Sequence, residues 1–406
     1  MAMRWTAVTV LAGWLATMLP TTAAHAAPAA SAPQCRPERG SLTRQQIVQE
    51  PWAQQILNIR AAHEKATGRG VRVAVIDSGV TAENPQLAGR VLPGVDLTKT
   101  TPRDCVGHGT WVAGIIAAKR GVSPFYGVAP DAQIIPIKFA NQAANIDSGL
   151  AAKGIEAAIK LKADVINVST QSISDDPRLR AAVQRALAAG IVVVAAAGNV
   201  DPKNGGTPEP MYPGGYPGVI SVGAVDQSGQ ITQFSNPNTP VSVIAPGKDI
   251  VTTAPDGTYA VKDGTSFATP IVAGVAALIK EAHPDLTPAQ IKQRIEQTAE
   301  GSKGPGSGAG MVNPYEAVTA VISGGAPSGG TGPAAGAVAP VKIVMPEKPD
   351  PLTRNLALSI AGGALALSGI VVAGGMLIPL GRRRRWRPGR AVTTPGDGDG
   401  AGRRFR

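Results

Sequence analysis

The sequence predicts an α/β protein in which a parallel β-sheet is flanked by helices, followed by one C-terminal transmembrane helix. Short apolar runs rich in β-branched residues alternate with helical stretches, a pattern typical of parallel βαβ units. Near the other end, residues 355–380 form an uncharged apolar stretch of 26 residues, which is long enough to cross a bilayer. The 406 residues are 43% hydrophobic, so the region before that stretch can bury a large core.

The predicted strands share a short length and a turn at each end; they are Val71–Ile76, Ile134–Phe139, Asp164–Ser169, Ile191–Ala196 and Val219–Val225. Between them the sequence predicts helices at Trp111–Ala118, Gly149–Leu161 and Pro177–Ala189. Two more helices have clear starts. Thr287 begins a capping-box pattern, and Asn313 is followed by a proline, which predicts helices at Asp285–Ala299 and Pro314–Ile322.

Ser266 is the candidate nucleophile, in the glycine-flanked segment Gly264–Pro270. A serine hydroxyl is inert at neutral pH unless a base removes its proton and a third group orients that base. Taken alone, the Gly-Thr-Ser sequence is more often a helix N-cap than a nucleophile. The assignment therefore depends on partners elsewhere in the chain.

His108 is the best candidate for the base among four histidines. His25 lies in a predicted signal peptide, His63 precedes the core, and His283 comes before a proline at a predicted helix end. Only His108 is framed by glycines and followed by a small-residue apolar run that predicts a buried helix. A Gly-His-Gly sequence on its own would be read as a loop.

Two further candidates follow predicted buried strands. Asp77 ends the strand Val71–Ile76, and strand ends are where open α/β sheets place their sites. A carboxylate there can hold an imidazole in the required tautomer, although an aspartate after a strand is often only a turn or a helix cap. Asn199 closes the strand Ile191–Ala196 with an amide that can donate to an oxyanion.

Together these segments resemble the subtilisin-like serine proteases, whose triad follows the order Asp, His, Ser. The resemblance covers roughly residues 68–321 and rests on five motifs: Val73–Val80, Gly107–Thr110 with Val112–Gly114, Asp164–Ser169, Ala245–Gly247, and Gly264–Ser266 with Ala268, Pro270 and Val272–Gly274. It implies a catalytic triad of Asp77, His108 and Ser266 and an oxyanion donor at Asn199. The chemistry is then peptide hydrolysis through an acyl-enzyme.

The resemblance has one departure, because many subtilisins carry a histidine where this chain has Ile271. That histidine is not catalytic, so no predicted role changes. We expect Pro270 to lie in the first turn of the following helix, where a missing N–H is tolerated.

The N-terminus predicts a secretory signal peptide at residues 1–26, with Arg4, an apolar stretch from Ala7 to Met18 and a small-residue cleavage site. An uncleaved signal anchor is the alternative. After residues 355–380 come six arginines within nine residues, which places the tail at residues 381–406 in the cytoplasm and the protease domain outside. A buried core helix is the alternative for residues 355–380.

Most of the net positive charge of the chain lies in the predicted cytoplasmic tail and indicates membrane orientation. The net charge is +11, but the tail alone carries +7 and Arg4 adds one, which leaves only +3 for the rest. This balance gives no reason to expect nucleic acid as a partner. Residues 323–350 are rich in Gly, Pro and Ala and predict a linker. The remaining regions are an extension at residues 27–50 and a peptidase domain at residues 51–322.

The two cysteines are Cys35 in the extension and Cys105 just before His108. Since an exported protein meets oxidising conditions, we expect a disulfide between them. That bond would tie the extension across the surface beside the cleft. Two unpaired thiols are the alternative.

The combined architecture is similar to that of the mycosins, membrane-anchored proteases of type VII secretion systems. The resemblance rests on this architecture and on the sequence Pro-Trp-Ala-Gln at residues 51–54, which precedes the core. It implies exported protein substrates, the secretion membrane complex and the cytoplasmic membrane as partners. The alternative function is a structural role in that complex, with secondary protease activity.

Two points stay open at this stage. The extension is expected to remain as a permanent wrap, and a removable inhibitory propeptide is the alternative. No cofactor and no catalytic metal is expected, since serine chemistry needs neither, while a structural calcium site is left open.

Overall fold

A seven-stranded parallel sheet forms the centre of the computed structural model, which describes residues 35, 37–101, 103–141, 147–201, 209–302, 304–322 and 368. Its strand order is β2-β3-β1-β4-β5-β6-β7, and a separate antiparallel hairpin joins β8 and β9. The strands are β1 Arg72–Asp77, β2 Val95–Asp96, β3 Gln133–Lys138, β4 Val165–Val168, β5 Val192–Ala196, β6 Ile220–Val225, β7 Val243–Pro246, β8 Ile250–Thr253 and β9 Tyr259–Lys262.

The α-helices before residue 323 are α1 Trp52–Ile56, α2 Ile59–His63, α3 His108–Ala117, α4 Ser148–Lys160, α5 Pro177–Ala188, α6 Thr265–Ala282, α7 Pro288–Gln297 and α8 Pro314–Thr319, and Arg44–Gln46 form a 3₁₀-helix. Every strand and helix predicted between Val71 and Ile322 is present within a few residues of its predicted bounds. The α/β class with a parallel sheet is therefore confirmed. The strands β2, β7, β8 and β9 were not predicted.

Helix α8 ends three residues earlier than predicted, and a side chain from α7 explains the stop. The guanidinium of Arg294 donates to the carbonyls of Ala317, Val318 and Ala320. These carbonyls lie at the end of α8, where no further helical turn supplies donors. The guanidinium thus supplies the hydrogen-bond donors that the next helical turn would have supplied. The predicted starts are confirmed, because Thr287 makes a capping box and Asn313 accepts from the Glu316 amide.

Each face of the sheet packs against a different pair of helices. On β1, Val73 and Val75 belong to the core that contains α3 and α6, whereas Ala74 and Ile76 belong to the core that contains α4 and α5. Side chains alternate between the two faces of a strand. Asp77 continues the odd-numbered series, so its carboxylate leaves the strand on the α3 and α6 side.

The predicted position of Pro270 in the first helical turn was wrong. Helix α6 begins at Thr265, so Pro270 is its sixth residue and lies in the second turn. The ring nitrogen has no hydrogen to donate to the Ser266 carbonyl four residues earlier. The helix continues because its residues from Thr265 to Ile279 are all buried, and packing of this kind supplies most helical stability in proteins.

The N-terminal extension is fastened to the peptidase domain at several points. A disulfide joins Cys35 to Cys105, as predicted. Leu42 exchanges two backbone hydrogen bonds with Tyr259 of β9, both 2.9 Å long. Ile47 is buried in a small cluster with Tyr259 and Phe125. The described part of the extension therefore lies along the β8–β9 hairpin.

Several predicted segments lie outside the described residues. They are the signal peptide at 1–26, the linker at 323–350, the predicted span at 355–380 apart from Ser368, and the tail at 381–406. Among the residues that are described, no helix has both the length and the apolar character needed to cross a membrane. The chain divides into two units, Met1–Gly324 and Gly325–Arg406.

Candidate active site

Asp77 and His108 meet where β1 ends and α3 begins. His108 is the first residue of α3, and its Nδ1 lies 2.8 Å and 2.9 Å from the two carboxylate oxygens of Asp77. Asp77 is only 1% exposed, and one of its oxygens also accepts from the Ser78 amide at 2.7 Å. A carboxylate accepts hydrogen bonds only, so Nδ1 carries the proton and Nε2 is left as the basic nitrogen.

Two glycines allow this close approach. Gly107 has φ = +106°, in the left-handed region that favours glycine, and it turns the chain into α3. A Cβ on Gly109 would lie 2.0 Å from the Gly79 carbonyl oxygen and 3.2 Å from the Cβ of Asp77. The two glycines that flank His108 therefore allow the end of β1 and the start of α3 to touch. Larger residues at these positions would force the strand and the helix apart.

The pKa of His108 lies above its usual value. Burial alone would lower this pKa, but the adjacent Asp77 carboxylate outweighs that effect through its charge and hydrogen bond. Trp111 and Phe267 stand beside the imidazole, with ring centroids 6.1 Å and 5.5 Å from it. The ring is thus held by its hydrogen bonds to Asp77 and by two aromatic neighbours.

Ser266 is the second residue of α6 and is buried to 7% exposure. Its hydroxyl donates to the backbone carbonyl of Ser169 at 2.6 Å, at the end of β4. It must therefore turn toward His108 before its proton can be removed. Its backbone N–H lies in the first turn of the helix, where such groups have no intrahelical acceptor.

Asn199 presents the donor end of its amide to the same region. Its Oδ1 accepts from the backbone N–H and the hydroxyl of Thr265, at 2.9 Å and 3.0 Å. Because that oxygen is used by two donors, the orientation of the amide is fixed and Nδ2 remains to donate. Backbone bonds on both sides of Asn199, from Val200 to Phe234 and from Asn236 to Gly198, hold the loop.

One cavity of about 330 Å³ brings the predicted residues together, and its lining includes Asp77, His108, Asn199 and Ser266. The other two histidines among the described residues are used elsewhere. His63 bonds the Val128 carbonyl, and His283 caps α6 and bonds the Val318 carbonyl. His108 is the histidine that lines this cavity among the residues that the structure describes.

Asp104 is a buried carboxylate that sequence reasoning missed. It is 1% exposed and accepts five hydrogen bonds, from the hydroxyls of Ser78 and Thr110 and from the amides of Val106, Gly107 and Thr110. Ser78 in turn accepts from the Gly109 amide at 3.0 Å. Burial raises the pKa of Asp104, and the five donors oppose that rise. The network ties the end of β1 to the start of α3 on both sides of His108.

Lys138 is a second missed residue. It ends β3 beside Asp77, is 1% exposed, and donates to the carbonyls of Thr101 and Arg103 at 2.9 Å each. Burial lowers the pKa of its ammonium. The lysine anchors the loop that carries Asp104 and Cys105. The sequence did indicate Asp104 to some extent, because an acidic residue shortly before a helix start can interact with the helix N-terminus. No comparable sequence pattern indicates Lys138.

Comparison with protein families gives one clear match: the sequence model of the Subtilase family matches residues 68–315. That range contains all four predicted polar residues of the cavity. It excludes the extension and everything after residue 315.

Curated relatives agree with the family match. The chain is 41% identical over 243 residues to an intracellular serine protease of Paenibacillus polymyxa, which is 58% of this chain and 74% of that protein. It is 43% identical over 234 residues to subtilisin E of Bacillus subtilis (strain 168), covering 57% of this chain. The chain spans 61% of the length of subtilisin E.

Solved structures that are similar to this chain include one described as a protease from a type VII secretion system. MycP1 with its N-terminal propeptide removed has a TM-score of 0.60 and 34% identity, over 67% of this chain and 99% of that one. MycP3 from the ESX-3 system has a TM-score of 0.61 and 34% identity, over 68% and 89%. MycP1 from Mycobacterium smegmatis has a TM-score of 0.61 and 29% identity, over 75% and 95%.

Proposed function

The chain belongs to the Subtilase family and is a subtilisin-like serine protease, and we propose that Asp77, His108 and Ser266 are its catalytic triad. The observation that carries this proposal is the bond from His108 Nδ1 to both oxygens of Asp77 in a cavity that Ser266 also lines. It leaves Nε2 as the only basic nitrogen of the ring and directs it away from the strand. The order of the three residues along the chain agrees with the family.

The reaction follows from these positions. The Ser266 hydroxyl turns from the Ser169 carbonyl, His108 Nε2 takes its proton, and Oγ bonds to the peptide carbonyl carbon. Asp77 stabilises the imidazolium that forms. His108 then gives the proton to the leaving amine as the C–N bond breaks, which leaves an acyl-enzyme. Water, deprotonated by the same imidazole, releases the acid and restores the serine.

We assign the oxyanion site to Asn199 Nδ2 and the backbone N–H of Ser266. Both donors are fixed before substrate arrives, one by the bonds from Thr265 to Asn199 Oδ1 and the other by the first turn of α6. Donors placed in advance stabilise the charge that develops in the transition state without reorganising. The positive end of the α6 dipole adds to this effect.

We also propose that the protease works outside the cytoplasmic membrane as part of a type VII secretion machinery. The support is the resemblance of the whole chain to mycosins and the similarity to MycP1 and MycP3. The uncharged stretch at residues 355–380 and the arginines after it supply the proposed anchor and its orientation. Exported proteins are the proposed substrates.

A structural role in the secretion complex is the second candidate. One MycP1 structure is described as that of an essential component of its secretion system, which is a statement about the complex as well as the enzyme. A strain carrying Ser266→Ala separates the two roles. Secretion lost in this strain as in a gene deletion supports the catalytic role, whereas secretion kept in this strain and lost in the deletion supports the structural role.

The extension is proposed to remain on the mature protein. Its disulfide to Cys105 and its backbone pairing with β9 support retention. The description of MycP1 as crystallised without its propeptide concerns that protein alone. N-terminal sequencing of reduced, membrane-extracted protein tests this: a start near Ala27 supports retention, and a start beyond residue 50 contradicts it.

A further inference from the structure

Lys262 is a charged residue in the catalytic cavity that the triad does not use. It ends β9, four residues before Ser266, and lines the same cavity as His108. Its Nζ lies 3.7 Å from the centroid of the Trp111 ring, a cation–π contact. Its side chain is 19% exposed, so protein atoms cover most of it.

The present partner of this ammonium comes from the N-terminal extension. Glu38 places Oε1 2.5 Å from Lys262 Nζ, while 58% of the glutamate side chain stays exposed. The pair therefore joins a cation on a mostly covered side chain to a carboxylate that is largely exposed to solvent. Surface ion pairs contribute little free energy. Another carboxylate that enters the cavity can therefore replace Glu38 at low cost.

The extension brings Glu38 to this place by backbone contacts on both sides. The Glu38 amide donates to the Val106 carbonyl at 3.2 Å, and Leu42 pairs with Tyr259 on β9. Between them, a Cβ on Gly40 would lie 2.0 Å from Thr258 Oγ1, so this stretch fits closely against the hairpin. Glu38 is thus held at the rim of the cavity rather than inside it.

The position of Lys262 relative to His108 indicates which part of a substrate it meets. His108 delivers a proton to the leaving amine, so residues after the scissile bond lie on the imidazole side of Ser266. Lys262 covers the Trp111 ring, which packs beside that imidazole, and its positive charge lowers the pKa of His108. Side chains of the leaving peptide therefore pass the ammonium.

The neighbouring acid does not take the place of a substrate carboxylate. Asp263 also lines the cavity, but its Oδ1 accepts from the backbone amide of Asp249 at 2.6 Å. That bond commits the carboxylate to the turn before β8.

We propose that Lys262 binds an aspartate or glutamate side chain on the leaving-group side of the substrate, and that Glu38 occupies the same ammonium when substrate is absent. The proposal rests on the triad assigned above and names a substrate class for it. Exported proteins cut by this enzyme carry an acidic residue shortly after the cleaved bond. The extension supplies a carboxylate that substrate displaces.

A synthetic random-sequence peptide library, analysed by mass spectrometry after digestion, tests the preference. We expect the full-length enzyme to enrich Asp or Glu about 2- to 5-fold at one of the first three positions after the cleaved bond, which is the effect of an exposed ion pair. Lys262→Gln loses the enrichment, Lys262→Arg keeps it, and Lys262→Glu favours Lys and Arg instead. Glu38→Gln lowers KM for acidic peptides and leaves kcat unchanged.

Fluorophosphonate labelling of the same preparations separates this inference from the proposed function. If the labelled wild-type enzyme cleaves the library with no acidic preference, the role of Lys262 is overturned and the triad stands. The same conclusion follows if Lys262→Gln shows the same acidic preference as the wild type. Failure of the wild-type protein to label or cleave overturns the triad, and the inference with it. Labelling of each Lys262 variant also confirms that it is folded.

Discussion

The two helical layers of this protein differ in a way that explains where the site lies. Helix α6 buries 15 of its 18 residues and α3 buries nine of ten, whereas α4 buries five of 13 and α5 four of 12. The candidate nucleophile and base begin the two buried helices. The outer pair instead carries charge, including an ion pair between Arg185 and Glu156.

Close packing of small residues makes the layer formed by α3 and α6 rigid. A Cβ on Gly114 of α3 would lie 2.2 Å from Thr253 Oγ1, and one on Gly274 of α6 would lie 2.6 Å from the Cβ of Val128. Neither position has room for a methyl group. The packed core therefore sets the geometry of the site. Substitutions on α3 and α6 should lower the catalytic rate, whereas substitutions on α4 and α5 should not.

The largest expected effect is on the orienting carboxylate. Asp77→Asn should lower kcat about 10⁴-fold, close to the roughly 3 × 10⁴ known for loss of this carboxylate in subtilisin itself. The asparagine keeps the shape but not the charge, so it stabilises neither the correct tautomer nor the imidazolium. Steady-state kinetics on a peptide substrate measure this. An Asp147→Asn variant, at the start of the outer helix α4, is the control and should keep full turnover.

The next effect concerns the oxyanion donor. Asn199→Asp should lower kcat by at least the roughly 10²- to 10³-fold known for removing this donor in subtilisin, because the carboxylate also repels the developing oxyanion. The aspartate can still accept from Thr265, so the loop and the melting temperature should change little. Comparison of kcat with thermal unfolding separates the two properties. Equal turnover in both proteins would remove Asn199 from the oxyanion site.

A stability comparison tests the packing difference directly. Gly274→Ala in α6 should destabilise the protein by about 1–3 kcal/mol, because the added methyl group overpacks against Val128. Lys153→Ala on the exposed face of α4 should change the free energy of unfolding by less than about 0.5 kcal/mol. Urea denaturation measures both. Similar values for the two variants would contradict the proposed contrast between layers.

The smallest effect is a displacement of the pH profile. His108 must be neutral to act as a base, and its pKa is raised by Asp77, so kcat/KM should fall with decreasing pH at a point above the usual value of about 6.5. Lys262→Gln removes a positive charge that lowers this pKa, and should move the acidic limb to still higher pH. An acidic limb at or below 6.5 would contradict the assignment of His108.

How much the sequence could predict depended on the kind of residue. Asp77, His108, Ser266 and Asn199 all stand at strand or helix ends beside glycines, so local patterns marked them and the family resemblance assigned their roles. The only local signal for Asp104 was its place shortly before a helix start. Lys138 could not be found from local patterns, because its burial depends on how the loop after residue 100 folds over β3. The same reason hid the contact between Lys262 and Glu38, which are 224 residues apart.

Boundaries were less predictable than elements. The start of α6 depends on bonds from Thr265 to Asn199, a partner far away in sequence. Without that information the proline was assigned to the first turn. Helix α8 shows the same dependence, since its end is set by Arg294 of α7.

The central claim is that the buried helices α3 and α6 hold a base and an activated nucleophile at one cavity. Labelling of the full-length protein with a fluorophosphonate, followed by peptide mapping, tests it most directly. We expect a single adduct on Ser266, which is absent from Ser266→Ala and forms much more slowly in His108→Ala. An adduct on another residue, or equal labelling of wild type and Ser266→Ala, would contradict it.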